Sequence, residues 1–306
     1  MDRSRFTSFC QLIRWPNLLF IAIIIWVMER VLAKPFMELW NPVTPLPAWV
    51  LVLLIVAVVS IAAAGYAVND YFDIKIDRIN RPDKLLVTTV FSKDQTIRLV
   101  YILMALGIAA GAVVAVWAKS WTIGFIFPIV AGLLWFYSAS YKRQFLIGNL
   151  IVAFVAALVP MLILLIHMPY SGIWLPVFGA YALFAFLLTL IREIIKDLQD
   201  QVGDREFECH SLPIVLGEIW TKIIVTLLIL LTMAALIYSA WFIPKLAEPW
   251  GDIQRYIALA LLTPLAGDIA LLWAAKIPSD YRSAQGLIKF VMFMGVMSAF
   301  VLKNYL

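Results

Sequence analysis

Residues Asn69–Lys84 read NDYFDIKIDRINRPDK and directly follow an apolar run, Leu51 to Val68, long enough to cross a bilayer. Asp70, Asp73 and Asp77 crowd the edge of that run, with Asp83 a little further on. On a helix, Asn69, Asp73 and Asp77 stand at i, i+4 and i+8 and share one face. Like charges stacked this way repel, and a membrane edge raises the cost. The pattern calls for something positive between the carboxylates.

A second stretch repeats the pattern. Arg192–Glu206 reads REIIKDLQDQVGDRE, again after a long apolar run, and places Asp197, Asp200 and Asp204 at i, i+3 and i+7. Lys75, Arg78, Arg81, Lys84, Arg192, Lys196 and Arg205 are interleaved with the acids. A solvated loop of mutually neutralising charges would explain either stretch alone. Two such faces at equivalent membrane positions point instead to a shared divalent cation and a phosphate-bearing ligand. Mg2+ suits the donor set, because it takes carboxylate oxygens, water and substrate phosphates rather than a closed protein cage.

Composition sets the class. The chain has 306 residues, of which 64% are apolar and 14% charged, and its mean hydropathy is +0.94. Soluble domains carry about 25% charged residues, so the expectation is an all-α polytopic membrane protein forming a single domain over 1–306. Spans are expected at roughly 17–34, 48–69, 97–118, 121–140, 147–167, 173–195, 215–243, 255–275 and 285–303, about nine in all. A short interfacial segment at 3–15 precedes them, and the proline-rich stretch 35–48 reads as a loop. Met1 to Trp15 lacks the apolar core and cleavage site of a signal peptide. Cys10 and Cys209 are too few for a disulfide framework.

Charge placement gives the orientation. With the N-terminus inside, the inner segments hold 18 Lys and Arg and the outer ones 6. Both acidic stretches then face the cytoplasm, and the net charge of +5 reflects loop asymmetry rather than nucleic-acid binding. The stretches close the second and sixth spans, which suggests a weak internal repeat.

Other polar groups are less decisive. Trp135 to Arg143, WFYSASYKR, puts Tyr137 and Tyr141 beside Lys142 and Arg143, a set suited to a diphosphate and a developing carbocation or to a plain interfacial belt. Asn149 reads either as a ligand or as an interhelical hydrogen bond. His167 reads as structural, His210 as either, and Asp268 as an intramembrane functional candidate.

These motifs resemble the UbiA superfamily of intramembrane prenyltransferases. The resemblance rests on NDxxDxxxD after span two, DxxDxxxD after span six, YSxxxKR at Tyr137 to Arg143, and SLPIVLG at Ser211 to Gly217. Within it, NDYFDxxIDRINRPDK is most similar to the digeranylgeranylglyceryl phosphate synthase and chlorophyll synthase branch. The resemblance implies nine helices around a central cavity with a cytoplasmic cap, and transfer of a prenyl group from an isoprenoid diphosphate, geranylgeranyl diphosphate in that branch. Mg2+ would be held by Asn69, Asp70, Asp73 and Asp77 on one side and by Asp197, Asp200 and Asp204 on the other. Asp73, Asp77, Asp200, Tyr137 and Lys142 would carry the chemistry. Arg14, Asn17, Arg78, Arg81, Tyr141, Arg143, Asn149, Arg192 and Lys196 would bind substrate, with Arg14 and Asn17 meeting an acceptor phosphate. The acceptor would be a lipid precursor such as geranylgeranylglyceryl phosphate, or an aromatic 4-hydroxybenzoate or naphthoate. From a different class, a membrane cation transporter would also use two acidic half-repeats, but nearer mid-membrane. One departure stands out: Arg81-Pro82 runs into Asp83 to Thr89 rather than a second Arg-Pro and a Gly turn, in a loop expected over the site.

Overall fold

Each apolar run of the sequence becomes a helix, because in lipid only a helix satisfies every backbone polar group within its own segment. A computed structural model describes residues 5–35, 45–167, 174–242 and 251–303. Among these residues, nine helices are long and apolar enough to cross a membrane. The interfacial helix α1 (Arg5–Leu12) leads through Arg14 into α2 (Trp15–Val27), which continues as a π-helical turn over Met28–Ala33. There follow α3 (Ala48–Phe72), the short α4 (Ile74–Asn80), α5 (Lys93–Trp117), α6 (Trp121–Ala139), α7 (Ile147–Ile166) and α8 (Trp174–Glu206). The chain finishes with α9 (Leu212–Leu216), α10 (Glu218–Phe242), α11 (Asp252–Tyr256), a second π-helical turn (Ile257–Leu262), α12 (Thr263–Ala274) and α13 (Tyr281–Leu302).

Local chemistry sets the ends. Ser92 and Gln95 form a reciprocal capping box that starts α5. Ser120 caps α6 by accepting from the Ile123 amide. Gly217, at φ 84°, turns the chain between α9 and α10 where a Cβ would be strained. Neighbours in sequence pack side by side: α3 on α5 and α6, α7 on α8, and α8 on α10 and α13, with α2 against α3 and α7. α13 in turn meets α2, which closes the helices into a ring that includes α8.

The end of the bundle away from the acidic stretches is tied by a buried polar clasp. Glu29 accepts from the Leu46 amide at 2.8 Å and meets His167 at 2.8 Å, while Arg30 donates to the Leu46 carbonyl at 2.8 Å. His167 is therefore a structural residue, as the sequence suggests. Of the loop expected at 35–48, residues 36–44 lie outside the described residues, as does Lys245 of the outer cations.

The sixth span is expected at 173–195, with the acidic face of Asp197, Asp200 and Asp204 on a helix after it, and α8 joins the two by running unbroken to Glu206. Hydropathy ends at the membrane edge, but Lys196, Leu198, Gln199 and Gln201 are good helix formers and carry the helix on. The loop after Arg81 differs from the expectation. Leu86 and Val87 are buried with Leu12, Ala64, Val68 and Val100 in a flanking cluster against α1, α3 and α5, so this apolar pair packs beside the site rather than over it.

Candidate active site

The two acidic stretches meet at one end of the bundle. α3 carries Asn69 and Asp70 in its last turn and stops at Asp73, whose φ of −90° and ψ of 3° leave the helical region for one residue. The chain restarts as α4, which packs against α8. Asn80, the last residue of α4, fixes that contact. Its amide donates to the Asp200 carbonyl at 3.0 Å and accepts from the Gly203 amide at 2.8 Å. A Cβ at Gly203 would lie 2.6 Å from Asn80 Nδ2, so glycine is what lets the side chain reach the helix backbone.

Between α3, α4, α6, α7 and α8 lies a polar cavity of ≈ 660 Å³. Of the sequence-derived candidates, Arg14, Asn69, Asp73, Asp77, Arg81, Tyr137, Lys142, Asn149, Lys196, Asp197, Asp200 and Asp204 line it. Carboxylates and cations from different elements are paired across it. Arg81 of the first stretch binds Asp200 of the second at 2.5 Å. Lys142, in a short 3-10 turn after α6, is paired with Asp73. Asn149 of α7 donates to Asp197 at 2.8 Å, which makes it both an interhelical link and a cavity group. Asn69 donates to Asp73 at 2.9 Å.

Some candidates stand further back. Asp70 accepts from Arg14 at 2.9 Å, and Arg14 stacks over Tyr66 with its guanidinium 4.8 Å from the ring centroid. Asn17 donates to the Tyr66 hydroxyl at 3.4 Å. Arg192 is bound by Glu193 at 2.5 Å. Tyr141 packs against Phe136, with ring centroids 6.4 Å apart. Arg143 and Arg78 are exposed, and neither lines the cavity. Four cavity-lining residues escaped the sequence reading: Ile76, Asn80, Glu193 and Cys209. Glu193 lies inside the second acidic stretch, four residues before Asp197 and on the face shared by Asp197, Asp200 and Asp204, so the same periodicity could have found it. Cys10 and Cys209 are free thiols.

The electrostatics follow from burial. Burial, followed by the Asp70 carboxylate, pushes Asp77 up to about 6. Burial works against the charge of Arg81, but Asp200 and Asp77 together outweigh it and raise its pKa; Asp70, Tyr66, Glu193 and Asp77 together do the same for Arg14. Burial, with Lys196 adding to it, pulls Lys142 down toward about 7.

The donors fit a hard cation. Asn69 Oδ1 is buried without a hydrogen-bond partner, an arrangement that costs free energy unless a donor or a cation meets it. Among the described residues, no three His, Cys, Asp or Glu side chains are gathered closely enough to hold a metal by themselves. Mg2+ needs only one or two carboxylates when water and phosphate complete its shell.

Beyond the polar cavity lies an apolar chamber of ≈ 1090 Å³. It is lined from α2, α7, α8, α10, α13 and the α11–α12 segment, by groups such as Phe20, Ala156, Phe184, Leu188 and Met292. Leu188 precedes Glu193 by just over one turn of α8, so the chamber follows the polar cavity along a single helix.

Known proteins share this architecture. A digeranylgeranylglyceryl phosphate synthase from Methanosphaera stadtmanae is 28% identical over 285 residues, covering 88% of this chain and 97% of that protein. A solved structure of a digeranylgeranylglyceryl phosphate synthase superposes with a TM-score of 0.68 at 23% identity, covering 99% of this chain and 100% of that one. A UbiA homologue from Archaeoglobus fulgidus, solved bound to GPP and Mg2+, superposes with a TM-score of 0.64 at 16% identity over 96% of this chain and 99% of that one. The UbiA prenyltransferase family profile matches residues 35–297. With its membrane helices and its paired acidic stretches, the chain belongs to the UbiA prenyltransferase family.

Proposed function

We propose that this enzyme transfers a prenyl group from geranylgeranyl diphosphate, with Mg2+, to a glycerol-phosphate lipid precursor such as geranylgeranylglyceryl phosphate. One observation carries the reading. A cavity of alternating carboxylates and cations and an apolar chamber follow one another along α8, which matches a ligand with a diphosphate head and an isoprenoid tail. The names of the full-length relatives support the acceptor, and the GPP and Mg2+ in the Archaeoglobus structure support the donor class and the metal.

Asn69, Asp70, Asp73 and Asp77 would hold metal on one side and Asp197, Asp200 and Asp204 on the other. Bound Mg2+ supplies positive charge to the diphosphate as the allylic carbon–oxygen bond breaks. Arg81, Lys142 and Lys196 line the same cavity and meet the remaining oxygens, exchanging their carboxylate partners for phosphate at no cost in charge pairing. Tyr137 offers an electron-rich ring to the allylic cation. The apolar chamber keeps water from that cation, which would otherwise be hydrolysed to the alcohol. Arg14 sits beside the cavity on the α1–α2 turn and presents a guanidinium to the acceptor phosphate. Once the chain is a prenyltransferase, the transporter reading falls away. The uneven distribution of Lys and Arg between the two ends of the bundle supports a site on the cytoplasmic side.

Purified protein in detergent, given geranylgeranyl diphosphate and Mg2+, tests this directly. Product on geranylgeranylglyceryl phosphate, dependent on Mg2+ and absent with 4-hydroxybenzoate, is the expected outcome. Product on the benzoate instead would move the enzyme to quinone-type chemistry. Mg2+-independent transfer would remove the metal from the mechanism.

A further inference from the structure

The apolar chamber contains a polar tie whose place suggests a purpose. Tyr181 of α8 and Ser298 of α13 are hydrogen-bonded at 2.9 Å, and both residues line the chamber. The lining continues past them toward the end away from the acidic stretches. Val177 lies one turn before Tyr181 on α8, Leu302 one turn after Ser298 on α13, and Ala240 and Ile253 face the same space. The tie therefore lies on the wall of a cavity that goes on past it. A tie needed only to join two helices could be made at their contact surface, away from the chamber.

Its depth matches a tail length. Tyr181 precedes Lys196 by fifteen residues on one continuous helix, about 22 Å of rise. An isoprene unit adds four carbon–carbon bonds of about 1.5 Å each, advancing about 5 Å when extended. Four units from a diphosphate at Lys196 thus end near the Tyr181 ring, and a fifth would collide with it. With its hydroxyl engaged by Ser298, the ring is held in place at that depth of the chamber.

We infer that Tyr181, braced by Ser298, is the stop that sets the donor tail at four isoprene units, so that the chamber beyond admits longer tails only when the ring is removed. The inference rests on the prenyl-transfer reading proposed above. The donor rather than the acceptor is assigned to this path because the diphosphate-binding groups Lys196, Asp197 and Asp200 stand on the same helix as Tyr181.

The test compares kcat/KM for donors of three, four, five and six isoprene units at one acceptor, and then varies the acceptor tail at one donor. Removal of one large side chain from an apolar pocket changes discrimination by about tenfold or more. Tyr181→Ala is expected to raise the five-unit to four-unit ratio by about tenfold, and Tyr181→Phe, which keeps the ring, to leave it within about twofold. Ala185→Phe places a ring one turn closer to the polar cavity, about 5.4 Å or one isoprene unit, and is expected to shift the preference to three units. Where a variant does not turn over, the same length series is read as thermal stabilisation of the purified protein by each diphosphate. An unchanged donor-length profile in both Tyr181→Ala and Ala185→Phe overturns the inference, as does a profile that follows the acceptor tail instead. Wild-type protein that transfers none of the donors would overturn the prenyl-transfer reading itself, an outcome distinct from a flat length profile.

Discussion

The ends of α3 and α8 carry similar acidic stretches and solve the same electrostatic problem in different ways. α8 stays helical through Asp197, Asp200 and Asp204 to Glu206. Asn149 meets the first of these acids and Arg81 the second. α3 instead gives up one residue of helix at Asp73 and restarts as α4. The break turns α4 toward α8, so that Asn80 can clasp the longer helix and Arg81 can reach Asp200. One stretch is thus a straight rail, and the other is a bent arm fastened to it. Similar sequence patterns do not dictate similar backbones; what each helix end must contact decides whether it runs on or turns.

The strongest way to break this comparison is to remove an acid from each stretch. Asp73→Ala and Asp200→Ala are each expected to reduce prenyl transfer on the order of a hundred- to a thousandfold, the range for loss of a preorganised charge-stabilising group. Each change also leaves a cation, Lys142 or Arg81, without its carboxylate. Turnover measured together with melting temperature separates the catalytic loss from unfolding. Full activity in either variant would mean that one stretch suffices and that the pairing is structural.

The fastening should be weaker but visible. In Gly203→Ala, a Cβ built 2.6 Å from Asn80 Nδ2 pushes α4 off α8, and Asn80→Ala removes both hydrogen bonds outright. Each is expected to lower turnover about tenfold through misplacement of Arg81 and Asp77. Because both break the same contact, the double variant should be little worse than either single one. Additive losses would show that Gly203 and Asn80 act independently.

Much of this was legible in the sequence, and the parts that were not have a common cause. Nine spans follow from apolar run length, and both acidic faces from periodicity, because those signals repeat over many residues. Hydropathy marks where lipid ends, and the helical spacing of Asp197, Asp200 and Asp204 carries α8 past that edge to Glu206. Asn80 was read as part of the quoted stretch and given no role. Its partners at Asp200 and Gly203 lie 120 and 123 residues away, and a single amide carries no periodic signal. The Arg81–Asp200 pair spans 119 residues; both groups were candidates, but only the fold joins them. Tyr181 and Ser298 escaped for the same reason, each an ordinary polar residue in an apolar helix.

Asp77 of the first stretch, like Asp204 of the second, is raised by burial. Burial and the nearby Asp70 carboxylate raise Asp77 from an ordinary value of 3.8 to about 6. Between those values the unfolded chain ionises this group and the folded chain does not. Stability linked to Asp77 is therefore fully present below about pH 4 and is lost as pH rises toward 6. Metal binding has the opposite slope, because a carboxylate ligand must first lose its proton. Thermal stabilisation by Mg2+ is expected to strengthen as pH rises through about 6, and Asp77→Asn should abolish that step. A step that persists in Asp77→Asn would transfer the titration to another acid of the site.

The smallest effect sharpens the boundary of the bent arm. Arg78 and Arg81 are three residues apart in the same motif, and the sequence alone gives them equal claims on a diphosphate. The fold separates them: Arg81 lines the cavity against Asp200, while Arg78 is exposed outside it. A solvated cation contributes little, because water and salt screen it. Arg78→Ala is expected to change kcat/KM for the diphosphate by no more than about twofold, and Arg81→Ala by about tenfold or more, the difference between a screened charge and a desolvated charge-assisted hydrogen bond. Equal losses would place both arginines on the ligand and would require α4 to rotate when the diphosphate binds, so that the arm is fastened to α8 in a different register from the one described here.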